Sequence, residues 1–448
     1  MKQQFNKWDY WLLAGLTLAS AVNTFLPEKL FFAAVVLTLM IVLPFDRSVF
    51  YSKTGWLLLP FILLVVIGMI AGLRNIRVDL YRDVYLFSKN IFYFLAGIAL
   101  SRFLIGFDNF FRYFLPLAFL GALYHMAKFA VNFQSAGSLQ ELRMSSGVSN
   151  ALEAIIAAVV IAAIASKKFR SLIGGINKLQ TCMIVIIMIS FGLYLSRTMI
   201  VLTAVLAIFL ADKVFIRKFF HTKNVRLLRL LVVFSSVIYI AYIGALFFPA
   251  KSPVRTLAEK FKNIPEEVSW SREKNLQASR MEIQDNWRGY ESYQGMLKFN
   301  DGKAPQKTFG YGFGARVDLG LIMKLAGEDY DTVPILHNEY VMLLVKSGVI
   351  GLILYLIFLY MIGFRSISRF EIYNQEIYYS YQMLSALSAV TILNTYIGFG
   401  LLDPTNGAIP IFMGLFWGNI QRHIYEIRRS TAYQNTIAIS NPVTELVR

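Results

Sequence analysis

The sequence predicts an all-α polytopic integral membrane protein of about 12 transmembrane helices, with one large outer (periplasmic) loop domain of helices between spans nine and ten. Three observations predict it. Of the 448 residues, 56% are hydrophobic and the mean hydropathy is +0.54, too apolar for a soluble domain. Charged residues make up 16%, against roughly 25% in globular proteins. Apolar runs of about 17–25 residues, bilayer-spanning length, recur along the chain.

Lys2 and Lys7 precede the first apolar run and no Ala-x-Ala site follows, so the run reads as a retained helix and not a removed signal peptide. Candidate spans are 10–26, 29–45, 56–73, 84–104, 110–131, 150–166, 180–195, 198–212, 228–248, 335–364, 380–400 and 406–421. The seventh and eighth are short enough to be halves of one broken unit. The chain then divides into spans one to nine (1–248), the loop domain (249–333), spans ten to twelve (334–421) and a cytoplasmic tail (422–448). Lys167, Lys168, Arg170 and Lys178 lie in one connection; Lys213, Arg217, Lys218, Lys223 and Arg226 lie in another. Both follow even-numbered spans, so the positive-inside rule puts them and both termini in the cytoplasm. The net charge of +17 is therefore no footprint of nucleic acid. Cys182 is the sole cysteine, so no disulfide braces the loop domain, which must hold its shape by packing on the membrane helices.

Basic residues in outer connections run against that rule. Arg74, Arg77 and Arg82 lie between spans three and four with Asp79 and Asp83 among them. A solvated turn neutralised by its own carboxylates accounts for this; so does a site for phosphates or acidic sugars. His125 and Lys128, in span five, read as interface or interior polar residues. Arg197 follows Ser196 at the break between two apolar runs. A guanidinium at membrane depth is costly unless paired or lining a wet cavity, although one that snorkels to the interface has no such need.

The loop domain is nearly neutral, with 13 Lys and Arg against 12 Asp and Glu. Leu276, Arg280, Ile283, Trp287, Tyr290, Gln294 and Leu297 alternate spacings of four and three, the stripe of an amphipathic helix. Arg280 lies on that stripe, Arg272 extends it upstream, and Arg288 lies to one side. A buried Arg needs an acceptor, which a diphosphate or a structural carboxylate would supply. Leu276, Gln277, Ile283 and Gln284, three and four positions away, supply none. Phe309-Gly-Tyr-Gly-Phe-Gly314 follows, without the strand–turn–helix context of a nucleotide loop. Its glycines allow tight turning, and Tyr311 and Phe313 would offer ring faces to sugars. Asp329-Tyr330-Asp331 has the spacing of a metal-binding pair, but a solvated loop before the next helix explains it better.

Residues His337 to Gly351 lead into span ten, with Pro334 acceptable in a first helical turn. His337 is thereby expected within that first turn, at the water-facing end. The positive end of the helix dipole favours a neutral imidazole that can accept a proton. An interfacial His on an ordinary packed helix is the plainer account. Gly348 and Gly351 form a small face for a close helix contact.

His337-Asn338, nine residues, Gly348, two residues and Gly351 resemble the signature of the O-antigen ligase and Wzy-type O-antigen polymerase superfamily. These membrane enzymes transfer glycans from a polyprenyl diphosphate. Arg143, Gly147 and Asn150 before a helix carrying Glu153 also resemble the family's outer loop. So does the order Ser196-Arg197, loop Arg280, Gly310-x-Gly-x-Gly314, His337-Asn338. The chain departs from the family at Lys346, often acidic there, and lacks a Pro before the glycine run.

The resemblance implies a metal-independent, inverting glycosyltransferase with no cofactor, in the bacterial inner membrane with its site on the periplasmic side. Arg197 and Arg280 would hold the donor diphosphate and His337 would activate the acceptor hydroxyl. Asn338, Arg143, Arg74, Arg272, Arg288, Tyr311 and Gly312 would bind substrate. The implied partners are an undecaprenyl-diphosphate-linked glycan, a glycan or lipid A–core acceptor, membrane lipid, and a chain-length regulator and flippase; nucleic acid is not among them. The activity is read as polymerase, with ligase as the alternative. A transporter or flippase fits the span count but predicts two similar halves, which the sequence lacks.

Overall fold

The computed structural model describes residues 28–42, 52–75, 77–104, 106–133, 151–194, 197–210, 282–283, 286–325, 328–363, 375–397, 400–402 and 407–440. The chain is a predominantly helical membrane protein. Its helices are α1 (Glu28–Val42), α2 (Ser52–Ala71), α3 (Arg77–Leu100), α4 (Phe107–Asn132), α5 (Ala151–Ala165), α6 (Lys167–Leu172), α7 (Lys178–Leu193) and α8 (Arg197–Leu210). After them come α9 (Trp287–Asp301), α10 (Ala304–Phe309), strands β1 (Val317–Leu325) and β2 (Glu328–Val333), α11 (Glu339–Gly363), α12 (Gln375–Ile397) and α13 (Ala408–Ser440).

Among the described residues, four helices are long and apolar enough to cross a membrane: Lys53–Ala71, Val78–Leu100, Phe107–Asn132 and Glu339–Gly363. Ala151–Ala165, Lys178–Leu193 and Met199–Leu210 are shorter apolar helices. The candidate spans 10–26 and 228–248 lie outside the described residues. The final helix runs on to Ser440, well past the span expected to end at 421.

Long-range packing joins α3 to α13, α2 to α11, and α12 to both α11 and α13. On the first seam Gly97 and Ser101 meet Gly414 and Gly418, small residues four apart that let two backbones approach closely. A second group packs α4 against α7, α5 against α8, and α8 against α12. Phe107, Phe110 and Phe114 tie it to the first through Phe412 and Phe416, with centroids 5.0–5.6 Å apart.

The loop domain departs from an all-helical expectation. Strands β1 and β2 pair antiparallel, Val317 with Val333 and Leu325 with Glu328, with an irregularity between Asp318 and Met323. Val317, Leu319, Leu321 and Met323 alternate with Asp318, Gly320 and Ile322, a period of two that suits a half-buried strand. Val317, Leu319 and Met323 are buried, and the Tyr290 hydroxyl of α9 donates to the Leu319 carbonyl. Asp329 and Asp331 therefore stand exposed on a strand, not in a loop.

Candidate functional site

Helix α11 begins at Glu339, later than the 335 expected, because Asn338 caps it. The Asn338 side-chain oxygen accepts from the backbone N–H groups of Tyr340 (3.1 Å) and Val341 (3.3 Å), as an N-cap does. His337 thus precedes the helix instead of lying in its first turn. Glu339, fully buried, accepts from the backbone N–H groups of Gly400 and Leu402 and ties the helix start to the turn at 400–402, beyond α12.

The ring of His337 is held from across the chain. Its Nδ1 lies 2.5 Å from Oε2 of Glu291 on α9, and the same oxygen accepts from the His337 backbone N–H at 3.3 Å. The Glu291 side chain is 3% exposed and that of His337 35%. Helix α9 reaches this position because Gly295, one turn on from Glu291, packs against Leu336 and Val341. An ionised carboxylate only accepts, so in the neutral ring Nδ1 carries the proton and Nε2 is the acceptor nitrogen. Glu291 was not among the sequence candidates. Its signal was its place four residues after Trp287 and four before Gly295, on the face beside the apolar stripe.

The glycine run lies deeper along α11. Gly310, Gly312 and Gly314 have φ of 81°, 83° and 82°. Tyr311 N donates to Val345 O at 2.8 Å, Gly312 N to Lys346 O at 3.1 Å and Phe313 N to Gly68 O at 2.8 Å. Asn75 clamps the other edge, donating to the carbonyls of Tyr311 (3.0 Å) and Phe313 (2.7 Å). A Cβ on Gly312 would lie 2.1 Å from the Gly72 nitrogen. Helix α11 itself breaks at Gly348 (φ 67°, ψ −169°), where a Cβ would lie 2.4 Å from the Thr308 carbonyl oxygen. What approaches Gly348 is therefore the C-terminal end of the short helix α10, with Gly310 just beyond it.

Two expectations are corrected here. Phe313 offers no ring to a sugar: it is fully buried, 4.5 Å from Phe87 between centroids. Gly312, expected to bind substrate, is buried against the backbone of α2. Tyr311 is half-buried; its hydroxyl donates to Lys298 O at 2.7 Å and its ring lies 4.9 Å from Lys298 Nζ. Desolvation holds the Lys298 ammonium below the usual lysine range, against the upward pull of Asp318.

The acidic residues after α2 are no solvated turn either. Asp79 and Asp83 are 2% and 1% exposed. Asp79 binds Arg82 Nη1 at 2.8 Å and Arg316 Nε at 2.6 Å. The Arg316 hydrogen bond to Asp79 pushes its pKa above the ordinary arginine value. Asp83 accepts from Gly314 N at 2.6 Å and from the buried ammonium of Lys346, which also donates to Ala315 O at 2.6 Å. Lys346 thus finds its carboxylate on α3.

Of the other expected residues, Arg74 is exposed in the turn after α2, Arg288 is exposed on α9, and Arg197 opens α8. Arg143, Arg272 and Arg280 lie outside the described residues. His125 is interior, as expected: Nδ1 lies 2.9 Å from Ser190 Oγ, which donates to the fully buried Glu153 at 2.8 Å. The structure brings His337, Asn338 and Glu291 together, whereas the Tyr311 hydroxyl is engaged by Lys298 O and Gly312 is packed against the end of α2. Among the described residues, no group of three or more His, Cys, Asp or Glu forms a metal-ligand set. No protein-family model matches the chain, and the search of curated proteins returns no relative.

Proposed function

We propose that the chain is a membrane glycosyltransferase that moves a glycan from an undecaprenyl-diphosphate-linked donor to a sugar hydroxyl, acting as a polymerase in surface-polysaccharide assembly. One observation carries this reading: a partly exposed imidazole, held by a buried carboxylate, stands just before a membrane-spanning helix where polar helix α9 packs. That is the environment a general base needs beside a lipid-borne substrate. The topology proposed with it has twelve spans, both termini in the cytoplasm of a bacterial inner membrane, and the His337 end of α11 facing the periplasm. The basic connections at 167–179 and 213–227 support it.

In this reaction His337 Nε2 takes the proton of the acceptor hydroxyl. Arg197 and Arg280, assigned from motif order, stabilise the diphosphate as negative charge builds on it. His337→Ala should leave donor affinity nearly intact and lower single-turnover rate by about 10²–10⁴-fold. Equal losses in binding and turnover would make His337 a phosphate ligand instead. Lipid-linked glycans of a deletion strain test the activity. Short lipid-linked units mean a lost polymerase, and long unattached chains mean a lost ligase. A profile unchanged from the parent strain would refute the transferase reading.

A further inference from the structure

The geometry points to Glu291 as a positioning residue that sets which nitrogen of His337 accepts the proton, an inference that rests on the transferase reading for its chemical consequence. One carboxylate oxygen holds both the backbone N–H of His337, at 3.3 Å, and ring Nδ1, at 2.5 Å. Two bonds to one residue restrain the ring's place as well as its rotation. Glu291 is nearly inaccessible, at 3% exposed, whereas the ring it holds is 35% exposed. A surface ion pair has neither feature. A carboxylate buried at the base of a half-open imidazole is placed to act through the ring, not on a ligand.

The chemistry follows from the inventory of atoms. With Nδ1–H donated to Glu291, the lone pair that can take a proton is on Nε2. The acceptor O–H proton passes to Nε2 as the oxygen's electron pair forms the new bond to the anomeric carbon. The old carbon–oxygen bond breaks, and its electrons leave with the diphosphate. The imidazolium so formed donates to the Glu291 carboxylate as a full ion pair, a stronger bond than the neutral ring makes to the same carboxylate before transfer. Glu291 therefore stabilises the product of proton transfer more than the starting ring, the differential that accelerates a step. The carboxylate also places base strength under the control of α9. That helix belongs to the same polar segment as Arg280, eleven residues upstream of Glu291.

The test uses the full chain in lipid nanodiscs and the near-isosteric Glu291→Gln. A carboxamide can turn its NH₂ toward Nδ1, which reverses the tautomer. Nitrogen-15 spectra of the ring report it directly, and with four histidines in the chain the His337 signals are assigned by their loss in His337→Ala. Wild type should show Nδ1–H with Nε2 as acceptor, and Glu291→Gln should lose that preference. With lipid-linked glycan extracted from the deletion strain as donor, turnover of Glu291→Gln should fall about 10²–10⁴-fold with donor affinity kept within about twofold. On a His337→Ala background Glu291→Gln should lower turnover no further, because a residue that acts through the ring has nothing left to act on. A merely structural glutamate would add its own loss there. An unchanged ring spectrum, or turnover within about threefold of wild type while wild type is active, would overturn the inference. A reversed tautomer in a chain that transfers no glycan would instead overturn the proposed function and leave the pairing established.

Discussion

Lys346→Met isolates the buried charge network that joins the glycine run to the membrane helices. Lys346 is 2% exposed and Asp83 1%. Removing the ammonium leaves Asp83 with Gly314 N–H at 2.6 Å and Arg82 Nη2 at 3.6 Å, and strands the Ala315 carbonyl. Breaking a buried pair from one side costs about 3–5 kcal/mol. The apolar area that Met gains offsets about 1 kcal/mol, so the net loss should be about 2–4 kcal/mol. Lys346→Met with Asp83→Asn removes both charges while the Asn oxygen can still accept from Gly314. The double variant should be more stable than the sum of the singles implies, by about 1–3 kcal/mol. Equilibrium unfolding in mixed micelles measures all three. A single variant within about 0.5 kcal/mol of wild type, or strict additivity, would refute the network. Lys346→Glu should be worse than Met because it faces Asp83.

Other consequences are checked more simply. Gly312→Ala should destabilise the junction strongly, since both φ and the approach of α2 exclude a Cβ; Gly175→Ala, with φ 80° but open space around it, should cost only about 1–2 kcal/mol. Protease resistance of the 286–333 unit separates the two. Asn338→Ala should lose about 0.5–2 kcal/mol of stability through the missing cap. Asn338→Ser should keep both cap and turnover, and low turnover in that stable variant would assign Asn338 a substrate contact beyond the cap. A cysteine introduced near residue 300 should react with an impermeant reagent from outside the cell and one near 220 should not; the reverse pattern would invert the proposed topology.

Membrane character and helix positions were legible in the sequence because a bilayer imposes a local rule. Each apolar run must satisfy its own backbone, so length and hydropathy identify it without knowledge of its neighbours. Among the described residues helices lie at ten of the apolar stretches, with ends displaced by several residues, and four of them are long and apolar enough to cross a membrane. The start of α11 moved from 335 to 339 because a cap is decided by a side chain's bond to specific N–H groups, not by hydropathy. The β1–β2 pairing was not read from the sequence, although the alternation from Val317 to Met323 carries its signal. The polar pairings were not legible. Glu291 meets His337 across 46 positions, and Asp83 meets Lys346 across 263. Neither separation carries a period, and a carboxylate reads the same in sequence whether solvated or buried beneath an imidazole. For Gly312 the residue type announced a special backbone conformation, but only the packing of α2 showed that the space it leaves is filled by protein. Local chemistry is written along the chain, whereas the partner of each buried charge is decided by which helices the fold brings side by side.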